Sequence, residues 1–521
     1  MNEFYLNSED ISLSSSTYST TNSNSDEYYY TPNLISNENS NHFKNLIDQD
    51  NKDNMTSGDN SMNLLIDKYS RNMNANLDDS NNKEIFLNSI NFLIYLKEPW
   101  KLTNSCVEEV INCLNRLNEI DLKSTCIITF DYLDDSTKSS FIDIIVEYFK
   151  YIYENLKESM NKYGGSFVKK DLLNINVTSQ TNDFIKRIDI FYKFSLLMWS
   201  WADKSFDFCV KFQEAKGIRA IFRFLNDELL IDNIINSIKL YGANKYCCGT
   251  NKMYKSCYKL ALTIRSMIGS IHNLSRHEQI FKYEWRDMNC FNCLIGLVYK
   301  FNQLPKLNIR LLAYFALINL YKKNLNPEFA ANLVELSLVL SEVIDLVDKC
   351  SKMIATNDEK LKRKSFRVTP FSENLTEITV ISSRETEWRL TELINFLINV
   401  SSIDNDYKYC IYEKHSLKNS IKLILFNGNL IEKQYGLMML WKLTLDLRVS
   451  RLVRNDFNLY SFLIGLSLNK FVKDKNILKY SNLILFLVDN YDFENLDNIK
   501  QKKRSSSFRF YNIDDSNTIR L

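Results

Sequence analysis

The sequence predicts an all-α solenoid of stacked helices behind a disordered N-terminal arm, and three observations carry that expectation. First, a helical design recurs. Leu397-Ile398-Asn399-Val400-Ser401 closes one segment, and Leu440-Trp441-Lys442-Leu443-Thr444 closes another, with Asn399 and Lys442 in the same slot 43 residues apart. Polar breaks at Asp404 and Asp446 follow each copy. A recurrence at about 40 to 47 residues is the period of stacked helical repeats. Second, only 11 glycines and 5 prolines occur, too few for hairpin-rich β architecture or phosphate-cradling loops. Third, residues 1–82 are dominated by Asn, Ser and Asp, and carry too little apolar surface to offset the entropy of ordering.

Charge and cysteine usage narrow the class further. Lys and Arg total 65 against 63 Asp and Glu, a net charge of +2, so nothing draws the whole chain toward nucleic acid or anionic membrane. The eleven cysteines form no regular framework, and Cys113, Cys209 and Cys410 sit inside apolar runs. An N-terminus beginning Met1-Asn2-Glu3-Phe4 has no apolar core. Together these point to a reducing interior compartment, the cytoplasm or alternatively the nucleus. Apolar stretches such as Leu311–Leu320 and Leu483–Val488 fall far short of the roughly 20 residues that span a bilayer.

The elements follow in order. Within the arm, Tyr28-Tyr29-Tyr30 and Leu64-Leu65-Ile66 are the apolar exceptions. A first helix starts near Lys83, carries Ile85, Phe86, Ile90, Phe92, Leu93 and Leu96 on one side, and must end before Pro99. A second carries Val107, Val110, Ile111, Leu114 and Leu117. A third is capped by Ser136 or Thr137, shows the stripe Phe141, Ile144, Ile145, Tyr148, Ile152 and Leu156, and stops at Gly164-Gly165. The repeat design is legible from Phe184, with its slots at Ser200, Asn273, Asn319, Asn399 and Lys442. Asn273 and Asn319 are 46 residues apart, whereas the 73 residues from Ser200 to Asn273 and the 80 from Asn319 to Asn399 each hold a degenerate repeat or an insertion. The expected organisation is a 1–82 arm, a solenoid over 83–350, a projecting polar loop at 351–385, repeats over 386–495, and a basic, Ser-rich tail at 496–521.

Ile271-His272-Asn273-Leu274-Ser275 and Leu397-Ile398-Asn399-Val400-Ser401 match the segment that ends a repeat in the armadillo family. Ile318-Asn319-Leu320 and Leu440-Trp441-Lys442-Leu443-Thr444 match it in part. The chain therefore resembles armadillo-repeat proteins over residues 184–495. The resemblance implies a right-handed superhelix that binds, without catalysis or cofactor, a protein segment along its concave face. In peptide-binding members such as beta-catenin and importin-alpha the slot Asn pairs with the ligand main chain, because a carboxamide offers donor and acceptor together. Asn273, Asn319 and Asn399 inherit that role by resemblance, with Trp441 and Lys442 beside them. Importin-alpha places a Trp four residues before each Asn. Here those positions are Gly269, Phe315 and Asn395, which argues against a receptor for basic signals. Lys442, with Arg448, Arg451 and Arg454 beyond it, favours an acidic, extended peptide, and the chain is expected to be a monomer. An alternative is a regulatory subunit or exchange factor that grips a folded small GTPase or chaperone ATPase.

Other chemistry is sparse. There are four histidines, His42, His272, His277 and His415, and no Walker-type or dinucleotide motif. Cys247, Cys248, Cys257, Cys290 and Cys293 with His272 and His277 offer a zinc-like ligand set, against which Cys290 and Cys293 read as packing residues at a helix start. Lys362-Arg363-Lys364-Ser365-Phe366 and Lys502-Lys503-Arg504-Ser505-Ser506-Ser507-Phe508 pair a basic run with Ser, making Ser365, Ser505, Ser506 and Ser507 candidate phosphorylation sites.

Overall fold

A computed structural model describes residues 79–490, apart from the connecting stretches 97–103, 124–129, 163–178, 244–251, 278–279, 281–288, 303, 305–306, 323–329, 334, 357–361, 368–374, 384–385, 415–416 and 469–473. Contacts divide the chain into Met1–Leu64 and Leu65–Leu521, and every described residue belongs to the second unit. The arm up to residue 78, Gly164-Gly165, and the 496–521 tail with Ser505, Ser506 and Ser507 lie outside the described residues.

Helix α1 (Asp79–Tyr95) buries Ile85, Phe86, Ile90 and Leu93, and α2 (Asn104–Lys123) buries Val107, Val110, Leu114 and Leu117. The apolar stripe of α3 (Asp135–Lys162) is buried from Phe141 to Leu156. Its cap is neither Ser136 nor Thr137. Asp134 accepts from the Thr137 backbone N–H at 2.9 Å and from its hydroxyl at 2.6 Å, because a carboxylate one residue outside the first turn meets the orphan donors better than a hydroxyl inside it.

Beyond α3 come α4 (Ser179–Lys204), α5 (Phe206–Glu214), α6 (Gly217–Leu225), α7 (Glu228–Ala243) and α8 (Lys252–Ser275). Then α9 (Cys290–Phe301), α10 (Ile309–Tyr321), α11 (Leu336–Thr356) and α12 (Leu390–Ser401) carry the chain onward. A short α13 (Asn405–Tyr409) continues into a π-helical turn, Cys410–Lys414, before α14 (Leu417–Asn427) and α15 (Leu430–Leu443). The last helices are α16 (Leu447–Asn455), α17 (Phe457–Leu468) and α18 (Lys475–Asp489). The polar breaks read from the sequence are helix caps: Asp404 accepts from Tyr407 N at 2.8 Å, and Asp446 from Arg448 N at 2.8 Å.

One row of helices organises the rest. Helix α4 packs on α8, α8 on α10, α10 on α12, α12 on α15, and α15 on α18. This spine contains every slot residue, so residues at one sequence slot lie on successive neighbouring helices. Each later spine helix has a companion: α7 with α8, α9 with α10, α11 with α12, α14 with α15, and α17 with α18. The arrangement is the armadillo-like stacking expected. The two long intervals are insertions rather than lost repeats, because each covers a single step of the spine. In the first, α4 and α8 approach so closely that a Cβ at Gly269 would lie 2.3 Å from the Trp199 ring. In the second, Phe315 of α10 stacks on Phe396 of α12 with centroids 4.5 Å apart.

The second insertion contains a small antiparallel sheet, ordered β1 (Lys362–Arg367), β2 (Leu375–Ser383), β3 (Thr386–Arg389), with Val380 opposite both Lys362 and Arg389. The sequence suggests a projecting polar loop over 351–385; instead α11 runs to Thr356 and two strands follow. Ile378, Val380 and Trp388 are buried, so the sheet lies against the helices. Glu432, in the first turn of α15, is fully buried; one carboxylate oxygen accepts from Thr379 N at 2.9 Å and the other from Asn429 N at 2.9 Å. A β-branched run, Ile378-Thr379-Val380-Ile381, carries strand character, but polar residues on either side conceal it in the sequence.

Candidate peptide-binding face

The slot asparagines fall into two kinds. Asn273 is buried, and its Nδ2 donates to the carbonyl of Trp199 on the preceding spine helix at 3.0 Å. Asn319 is half-buried, and its Nδ2 donates to Ser275 Oγ at 3.1 Å, again one spine step back. Both carboxamides splice neighbouring helices. Asn399, half-buried at the end of α12, has no side-chain hydrogen bond among the described residues. Of the three, it alone presents a free carboxamide.

The positions four residues before Asn273 and Asn319 are filled from within. Trp199 occupies the space at Gly269, and the Arg265 guanidinium lies 5.5 Å from its ring. Phe315 is covered by Trp388 of β3, with ring centroids 4.7 Å apart, and His272 lies 5.4 Å from Phe315. The central part of the spine is thus closed by its own aromatic side chains.

A charge network closes the same region. Arg276 pairs with Asp203 at 2.5 Å and with Glu392 at 3.0 Å, while Arg389 pairs with Asp203. These side chains are 16 to 24% exposed, so their charges are shielded by one another more than by water. Burial pushes the Asp203 carboxyl up, but the Arg389 and Arg276 guanidiniums outweigh it and hold the group well below the usual carboxylate range. Burial pushes His272 down to about 4, aided by Arg276 and Arg389 against Glu392 and Asp203, and pushes His277 down to about 4 with Arg276 in support. Both imidazoles are neutral and weakly basic at pH 7. His415 and His42 lie outside the described residues.

The described members of the zinc-like set do not converge. Cys257, Cys290 and Cys293 are buried, and burial pushes each thiol up to about 12, which keeps them protonated. Among the described residues no group of three or more His, Cys, Asp or Glu side chains is placed to hold a metal; Cys247 and Cys248 lie outside them. A small pocket lined by Asn226, Glu228, Asn292, Cys293 and Lys300 sits between α6, α7 and α9, where burial and the Glu228 carboxylate both disfavour the Cys293 thiolate.

Toward the C-terminal end of the spine the surface is different. Lys442 Nζ lies 4.7 Å over the Trp441 ring, Trp441 packs 5.5 Å from Tyr480, and Lys479 Nζ lies 5.5 Å over the Tyr480 ring. Trp441 and Lys442 are half-buried and Lys479 is exposed. Asn399, Trp441, Lys442 and Lys479 therefore stand on three consecutive spine helices, α12, α15 and α18, as one carboxamide followed by two cation–aromatic pairs. Lys479 and Tyr480 were not singled out in the sequence; the signal there was a second adjacent lysine–aromatic pair, like Trp441-Lys442, on the next spine helix. Arg448 does not join them, because Asp446 at 2.8 Å and Asp406 at 2.9 Å hold its guanidinium over Tyr409. Ser365 lies within β1.

No family model matches the sequence, and no curated protein matches it. Solved structures show weak likenesses. A designed armadillo repeat protein aligns at a TM-score of 0.31 and 9% identity, covering 60% of this chain and 95% of that one. A structure from work on a phosphorylation switch in the interaction between cadherin and beta-catenin aligns at 0.29 and 10%, covering 80% and 99%. A Kap121p mutant aligns at 0.22 and 12%, covering 93% and 54%. Scores this low leave function to be argued from the chain's own residues. Among those described, no helix is long and apolar enough to cross a membrane.

Proposed function

We propose that the chain is a non-catalytic interaction protein that holds an extended, acidic peptide segment of a partner across α12, α15 and α18. The supporting observation is the run of Asn399, Lys442 over Trp441, and Lys479 over Tyr480. A free carboxamide recognises peptide backbone whatever its sequence. Lysines already resting on aromatic faces keep their charge at the surface with less freedom left to lose on binding. Asn273 and Asn319, engaged between helices, are not part of this reading.

Peptide libraries displayed on phage, random except for a biased share of Asp and Glu, test it directly. Selection on the full chain should enrich acidic sequences, and their affinity should fall about tenfold or more, roughly 1.4 kcal/mol, in the variant Asn399→Ala/Trp441→Ala/Lys442→Glu. Asn273→Ala should bind as the wild type does. Enrichment without acidic bias, or equal binding to the triple variant, rejects the site.

A further inference from the structure

The two rows of helices finish differently at the C-terminal end. On α18 the outward positions Lys475, Lys479, Asn482, Phe486 and Asp489 are mostly polar, as befits the last helix of a row. Helix α17 reads the opposite way. Its twelve residues, FNLYSFLIGLSL, contain no charge, yet only Leu459 and Leu463 are buried. Phe457 is 79% exposed and Leu468 is 74% exposed. Phe457, Ser461, Gly465 and Leu468 share one face by helical spacing, and a Cβ at Gly465 would meet nothing within 4 Å. Asn458 and Ser461 are the polar members of the exposed side, and a helix with no charged face is suited to packing on more than one side. Earlier companions are covered in just this way: α11 packs on α14, and α14 meets α17 through Phe426 and Phe462, with centroids 4.8 Å apart. Among the described residues the spine row ends on the mostly polar outer side of α18, while the companion row ends on the open, uncharged side of α17.

We propose that residues 491–513 supply that segment, folding back over the open face of α17. The described structure stops at Asn490, directly after α18, which itself packs along α17. The residues that follow carry apolar side chains at helical spacing, Phe493, Leu496 and Ile499, and then Phe508, Phe510, Tyr511 and Ile513. The face to be covered is uncharged, so the occupant needs apolar area rather than complementary charge, and a tethered segment has the advantage of high effective concentration.

The test uses the full chain with a photo-crosslinking benzoylphenylalanine at position 465, where there is open space, as an equal mixture of isotope-labelled and unlabelled protein. The expected result is crosslinked peptides joining α17 to residues 491–513 with matching labels, lost in the variant Phe493→Asp/Leu496→Asp/Ile499→Asp while circular dichroism shows the same helicity. Mixed-label crosslinks would make a second copy of the chain the occupant and overturn the proposal. Absence of any crosslink to 491–513 in the parent would overturn it as well.

Discussion

Asn273, Asn319 and Asn399 occupy one slot of the repeat but differ in what their carboxamides reach. The donor of Asn273 ends on a helical carbonyl 74 residues away in the chain, so Asn273→Ala removes a buried bond between two spine helices. We expect a loss of about 1 kcal/mol in urea unfolding, against a change within about 0.5 kcal/mol for Asn399→Ala. Equal losses at the two positions would mean that Asn399 is structural too. His272 and His277 are a second residue-scale case. Each folded pKa, about 4, lies below the ordinary histidine value of 6.5, so the unfolded chain takes up protons first as pH falls. Their contribution is complete above about pH 6.5 and is lost as the pH falls from there toward 4. Stability measured across that window should fall less steeply in His272→Gln/His277→Gln than in the parent.

Among the elements, β2 and α15 are joined through one side chain. Glu432 caps Asn429 N and also accepts from Thr379 N, so the helix start and the strand share a single buried carboxylate. Replacing it by Ala leaves both donors without their acceptor and should cost about 2 kcal/mol. Hydrogen exchange should accelerate in the first turn of α15 and in β2 together; acceleration in only one would show that the two are held independently. The strand itself was concealed in the sequence because the 351–385 stretch reads as polar on average. Only where Ile378, Val380 and Trp388 meet the helices does its buried face emerge. Helices such as α1, α3 and α18 were legible because their apolar stripes are long, although the cap of α3 was not.

Across the whole row, stability in a repeat array is ordinarily a sum of nearest-neighbour contacts. The charge network departs from that pattern. Arg276 follows α8 and Glu392 lies in α12, two spine steps apart, and Asp203 at the end of α4 is tied to Arg389 just before α12. Removing the acid shared by both arginines, as Asp203→Ala, leaves two cations in a part-buried site. A loss of about 3 kcal/mol is expected, together with a broader urea transition as the N-terminal and C-terminal helices begin to unfold separately. A uniformly shifted, equally sharp transition would show that nearest-neighbour packing alone carries the cooperativity.

By itself the sequence determined what is local and periodic: helices from their apolar stripes, the slot recurring at 43 and 46 residues, and the polar breaks at Asp404 and Asp446 that separate one helix from the next. Tertiary structure decided what depends on partners distant in the chain. It made both long intervals insertions, turned Asn273 and Asn319 inward, laid Trp388 over Phe315, and bound Arg448 to its own carboxylates while Lys442 and Lys479 stayed on aromatic faces. Periodicity is written into neighbouring residues, whereas the partners of Asn273, Asn319 and Arg389 are chosen by helices brought together across 44 to 186 residues, a pairing that no local pattern records.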